Sequence, residues 1–255
     1  MTIELGRLAA GDLLVPAGAA APLALAAEEL AAYAGRLFGA TPARRVVAAP
    51  PGDWLALVPR GAAVPTLPAL AGDEEWSVRP AGEGALVRGT SPRATLAAVY
   101  ALLAACGCRW SPHGAADEHV PDRRSAIPVV PALAGRPAFA RRAYAADLGT
   151  WHYTVPERLA ARLPHDVAFI DWMAKSGATA FLFIRHANDT RWTVPELVPE
   201  LERRGLGIEG GGHALVELLP RGLFGHHPDY FPLGPDGRSD LGNACVSSPG
   251  ALACH

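Results

Sequence analysis

The sequence predicts an α/β protein, with a small α/β domain followed by the first three strand–helix units of an incomplete TIM (β/α)8 barrel. From Phe139 onward the chain reads strand-like FARRAYAADL, helix-like PHDVAFIDWMAKSG, strand-like ATAFLFIRH, helix-like TVPELVPELERRG and strand-like LGIEGGGH. This alternation builds a parallel sheet covered by helices. Polar and ring-bearing residues gather just after each strand, at Asp147 to His152, His186 to Asp189 and Glu209 to His213. Those positions form the mouth of such a barrel. Only about 117 residues run from Phe139 to His255, whereas a whole barrel takes about 250. The expected organisation is therefore residues 1–128 as one α/β domain and 139–255 as a partial barrel that stops before its fourth strand.

Each element of the first domain has a local reason. DLLVPAG reads as a strand. The helix after it starts near Pro22, whose missing N–H costs nothing in a first turn. Leu23, Ala26, Leu30, Tyr33 and Leu37 recur at spacings of three and four and mark one buried face, and Gly39 is placed to end the helix. Short β segments follow at RRVVAA, DWLALVP, EEWSVRPAG and GALVRGT, the last two forming a hairpin around Ala81 to Gly84 with glycines at the turn. Ser91-Pro92 supplies an N-cap and first-turn proline for a helix carrying Leu96, Val99, Tyr100 and Leu103. The following segment is rich in Pro, Gly and charge, with a short β-like stretch at SAIPVV, and reads as a connector with a domain boundary near 125 to 138.

Composition narrows the function classes. Half of the residues are apolar and 19% are charged, enough for a sizeable core. The net charge of −2, with no basic run, argues against nucleic acid or an anionic membrane as partner. No long apolar run implies a membrane span, and MTIELGRLAAGDLLVPAG lacks the cationic start and unbroken apolar core of a secretory signal. The default compartment is cytoplasmic. Cys106, Cys108, Cys245 and Cys254 show no CxxC pair for zinc, and reduced packing cysteines are expected. Lys175 is the only lysine, the other basic residues being arginine. No GxGxxG phosphate loop and no GxSxG elbow is present.

The stretch EEWSVRPAGEGALVRGTSPRATLAAVYALLAACGCRWSPHG is similar to the N-terminal accessory domain of β-hexosaminidase-like and α-glucuronidase-like glycoside hydrolases, families 20 and 67. In those proteins a strand pair ending in a glycine leads to a helix over the sheet, then a G-x-R-W turn and a V-P exit. The matching residues are Gly89, Gly107-Cys108-Arg109-Trp110 and Val120-Pro121. ARRAYAADLGTWHY resembles the first barrel strand of family 20, where an early arginine contacts sugar hydroxyls. FLFIRHANDTRW resembles the second strand and its loop, and IEGGGHA the third strand ending in a glycine–histidine step. HHPDYFPLGPDGRSDLGNACVSSPGAL is similar to a loop and helix start in wider relatives. The resemblance implies an N-terminal part of an enzyme that hydrolyses glycosidic bonds, without a cofactor. It also marks a departure, since family 20 places its Asp-Glu pair after the fourth barrel strand and family 67 draws its carboxylates from later strands. Those residues map to no position here, so the chain alone is expected to be inactive and the particular sugar stays open.

Sugar rings present hydroxyls on their edges and C–H groups on their faces, so a carbohydrate pocket needs charged forks, imidazoles or amides, and an aromatic wall. Arg142 offers a forked donor to vicinal hydroxyls, or an ion pair to Asp147 or a loop acid. Tyr144, Trp151, His152 and Tyr153 form an aromatic group, with Trp151 placed either to stack on a sugar or to cover the rim. His186, Asn188 and Asp189 are too polar for a buried strand and serve ligand contact or a solvated turn. Glu209 and His213 bracket three glycines that permit close backbone approach. His213 either hydrogen-bonds a carboxylate, as the similar histidine does in family 20, or satisfies a backbone carbonyl. His226, His227 and Asp229 lack the spacing of a metal site. The expected partner is a carbohydrate substrate, and an open barrel edge allows an oligomer. The competing reading is a non-enzymatic carbohydrate-binding or assembly module.

Overall fold

A computed structural model of the chain describes residues 2–48, 52–67, 70, 72–146, 156–185, 194–212 and 219–254. These residues form a mixed α/β structure with several sheets, none of which closes on itself. In chain order the first half holds β1 (Thr2–Glu4), α1 (Leu5–Leu8), β2 (Asp12–Pro16), α2 (Ala21–Phe38), β3 (Ala43–Val47), β4 (Trp54–Val58), β5 (Trp76–Ala81), β6 (Gly84–Gly89) and α3 (Pro92–Ala105). Then come β7 (Val129–Pro131), β8 (Leu133–Gly135), β9 (Ala143–Ala146), α4 (Pro156–Lys175), β10 (Ala180–Arg185), α5 (Val198–Arg203) and β11 (Gly207–Gly212). The last elements are β12 (Leu233–Gly234), β13 (Gly237–Arg238) and α6 (Pro249–Ala253). Among the described residues no helix is long and apolar enough to cross a membrane.

The six-stranded sheet runs β3-β2-β4-β6-β5-β8. Only β2 and β3 pair in parallel, joined by α2, and the remaining pairs are antiparallel. The five residues of β2 and of β4 are all buried, which is why both read as near-continuous apolar runs rather than alternating ones. Leu14, Trp54, Ala56, Val58 and Leu86 form a cluster with Val47, Ala62, Val64, Leu67 and Ala81 packed on it.

α2 and α3 start and stop close to where the sequence expects. Leu23, Ala26, Leu30, Tyr33 and Leu37 of α2 are all buried, and Gly39 ends the helix with a left-handed φ of 73°. The Ser91 hydroxyl accepts a hydrogen bond from the Ala94 N–H at 3.1 Å and caps α3. The glycines divide their work differently than expected. Gly82 supplies the positive φ of the hairpin turn, at 59°. Gly84 instead sits where a Cβ would meet the Leu57 carbonyl oxygen at 2.5 Å. Gly89 lies so close under α3 that a Cβ would fall 2.3 Å from the Thr95 nitrogen.

Three features carry no clear sequence signal. β1 pairs antiparallel with β7, bringing Ile3 opposite Val130, and β8 adds an edge strand beside β5. The third is the start of α4. The helix begins at Pro156, eight residues before the expected start, and runs through Pro164. The stretch PERLAARL has its own first-turn proline and an acidic residue, Glu157, in the first turn, which outweighs an interior proline.

β9, β10 and β11 form a three-stranded sheet in the order β11-β10-β9, and a helix separates each strand from the next along the chain. The chain divides into two compact units. The first comprises Met1–Tyr144, Arg162–Phe181 and Pro195–Ile208. The second comprises Ala145–Ala161, Leu182–Val194 and Glu209–His255. In the second unit a short β12–β13 hairpin follows the buried Phe231, against which Phe224 packs edge-on at 5.2 Å.

Candidate functional site

In the sequence, the expected sugar-contact residues fall within or near β9, β10 and β11. Asp147, Trp151, His186, Asn188, Asp189 and His213 lie outside the described residues, as do His152 and Tyr153. Glu209 lies within β11. Arg142 sits just before β9, and its guanidinium is already engaged. Nε donates to the Gly177 carbonyl at 2.6 Å and Nη1 to the Phe139 carbonyl at 2.5 Å. The Arg142 N–H donates to the Thr179 hydroxyl at 2.8 Å. These bonds pin the turn between α4 and β10 to the chain entering β9. Burial, helped by nearby Arg93, holds the Arg142 guanidinium below its usual pKa. Tyr144 packs edge-on against Phe169 at 5.9 Å and Trp172 at 5.2 Å, both on α4, so its ring covers a helix.

A concentration of buried charge lies elsewhere in the first unit, around Lys175 at the end of α4. Its ammonium donates to Asp171 Oδ2 at 2.7 Å and to the Tyr33 hydroxyl at 3.1 Å. Glu29 and Glu118 stand at 3.8 and 3.9 Å. The rings of Tyr33, Trp110 and Tyr100 surround the same nitrogen at 5.5, 5.9 and 6.0 Å. A cation facing several aromatic rings gains from their quadrupoles. The Tyr33 hydroxyl accepts from Trp110 Nε1 at 2.8 Å and donates to Glu118 through a short hydrogen bond. Glu118 also takes Arg36 at 2.8 Å. Asp171 takes Arg204 at 2.9 Å, and Arg204 pairs with Glu200 as well.

Burial raises the pKa values of Glu29 and Glu118, the Lys175 charge pulling both the other way. Burial likewise pushes the Tyr100 phenol well above its usual range, and among the described residues its hydroxyl has no hydrogen-bond partner. Buried thiols flank this region, with Cys106 pushed up to about 12 and Cys108 to about 11 by burial. Such thiols are inert packing groups at neutral pH.

Cavity sizes separate a polar joint from a ligand pocket. The hollow beside Lys175, lined by Trp110, Ser111, Glu118, Asp171 and Trp172, measures about 50 Å³. At about 15 Å³ per water it holds a few solvent molecules rather than a sugar ring. A larger groove of about 730 Å³ lies between residues 58–66 and the β5–β6 hairpin. Val58, Ala62, Val64, Ala81 and Leu86 line it together with Thr66, Arg79 and Glu83, and among the described residues no aromatic ring does. It lacks the stacking wall that a sugar pocket uses.

In the second unit the His227 ring stacks on Tyr230 at 4.6 Å. Among the described residues no group of three His, Cys, Asp or Glu side chains gathers as a metal site.

Sequence reasoning missed the Lys175 cluster because its members are spread from Glu29 to Arg204. One signal was present. In a chain whose other basic residues are all arginine, a single retained lysine marks a place suited to a compact ammonium rather than a planar fork. No family model matches the chain, and no curated protein matches it.

Proposed function

We propose that the chain is a carbohydrate-handling part of a glycoside hydrolase, made of an accessory α/β domain and the first three strand–helix units of a (β/α)8 barrel. One observation carries the reading. β9 ends at Ala146, β10 at Arg185 and β11 at Gly212, and the residues that follow directly are Asp147, His186 and His213. In sequence, a residue with a hydrogen-bonding side chain thus follows each of three strands that are consecutive both in the chain and in the sheet. Barrel enzymes draw their substrate contacts from that position. Asp147, His186, Asn188 and Asp189 are assigned to sugar hydroxyls, Trp151 to a ring face, and Glu209 and His213 to the third strand end. Arg142 acts on this reading by fixing the base of β9 and β10, because its donors are spent on backbone carbonyls. The assignment to these residues is binding, not bond cleavage.

Titration of the purified chain with a panel of mono- and disaccharides, read by saturation-transfer NMR, tests the reading. At least one sugar is expected to bind in the millimolar range or tighter, with Trp151→Ala and His186→Ala each weakening it about tenfold. A panel without binding, or binding that both variants leave intact, would overturn it.

A further inference from the structure

We propose that Lys175 is a keystone whose buried ammonium fastens α4 and α5 to α2, α3 and the 110–118 segment, so that these elements open as one cooperative body. The inference holds whatever ligand the strand ends take. Its basis is the convergence of four chain segments, Lys175's own helix among them, on one nitrogen. Glu29 and Tyr33 come from α2, Tyr100 from α3, Trp110 and Glu118 from the segment after it, and Asp171 from the preceding turn of α4. Arg204, just past α5, joins through Asp171. The contact between Lys175 and Tyr33 spans 142 positions in sequence.

The side chain of Lys175 is 9% exposed and that of Glu118 8%. Water therefore does little to screen this charge, and its partners must balance it. Asp171 divides its oxygens between Lys175 and Arg204, while Glu118 divides its own between Tyr33 and Arg36. Removing the ammonium takes from Glu29 the larger of the two cationic charges that act on it, Arg204 being the other, and takes the shared positive centre from the other two carboxylates. Breaking a buried network on one side in this way costs far more than the network's net gain. The Arg142 bonds to Gly177 and Phe139 hold the turn after Lys175 from its other side. Loss of the keystone should therefore loosen α4 and α5 first, while the six-stranded sheet keeps its own core of Leu14, Trp54, Ala56 and Leu86.

Hydrogen exchange by mass spectrometry on the full chain is the test, comparing wild type with Lys175→Met and with the milder Glu118→Gln. In wild type, peptides from residues 164–175, 198–203 and 22–38 are expected to share one opening rate. Lys175→Met is expected to speed exchange at least tenfold in 164–175 and 198–203 while leaving residues 54–58 and 84–89 protected. It is also expected to lower the melting midpoint by about 10 °C. Glu118→Gln should give the same pattern at smaller amplitude, and it decides the matter if Lys175→Met does not fold. Unchanged exchange in 164–175, or equal loss of protection in every segment including 54–58, would overturn the proposal.

Discussion

A carboxyl group that loses its water without gaining enough charge partners pays for ionisation, and Asp166 is the clearest case in this chain. It is 4% exposed on α4 and accepts a hydrogen bond from Arg162 Nε at 3.3 Å. Burial pushes its pKa up to about 7. Because the folded value lies above the unfolded one of about 4, the protonated form favours the fold. That contribution is complete below about pH 4 and is lost as pH rises through about 7. Asp166→Asn keeps the size of the side chain and removes the titration. The variant is expected to be more stable than wild type at pH 8, by at most about 4 kcal/mol before the lost Arg162 pair is subtracted. At pH 5 the difference should fall to about a third of that. Urea midpoints at the two pH values check this, and equal differences at both would exclude Asp166 as the titrating group.

Elements with local causes were legible in the sequence. The strand runs, the α2 stripe and the Ser91-Pro92 start are short-range patterns, and the structure reproduces them. What stayed hidden depends on distant partners. β1 is a three-residue strand whose partner lies more than a hundred residues away, and α4 runs through a proline that normally marks a boundary. The glycines show the same split. A turn glycine such as Gly82 announces itself by its neighbours, whereas Gly89 is required by a helix packed above it. Gly89→Ala should force α3 off the sheet and cost about 2–3 kcal/mol, seen as a lower urea midpoint with an unchanged slope. A variant as stable as wild type would show that α3 shifts freely. For the candidate site, residue types and positions after each strand were readable. The engagement of Arg142 with carbonyls was not, because it depends on the turn that α4 makes.

At the scale of the whole molecule, the first compact unit takes residues from both sides of the Pro- and Gly-rich connector. Its stability therefore includes partners that a linear reading keeps apart, and Lys175 is the point where most of them meet. The chain holds a single ε-amine, and that amine is buried. Amine-directed acylating reagents should consequently leave Lys175 unmodified in the folded protein. An adduct mapped to Lys175 by peptide mass should grow in only with denaturant. Fast labelling of Lys175 in native protein would mean that the ammonium is accessible. The scarcity of lysine thus equips the molecule with a built-in reporter, in which one chemically distinct nitrogen records how often its interior is laid open to solvent.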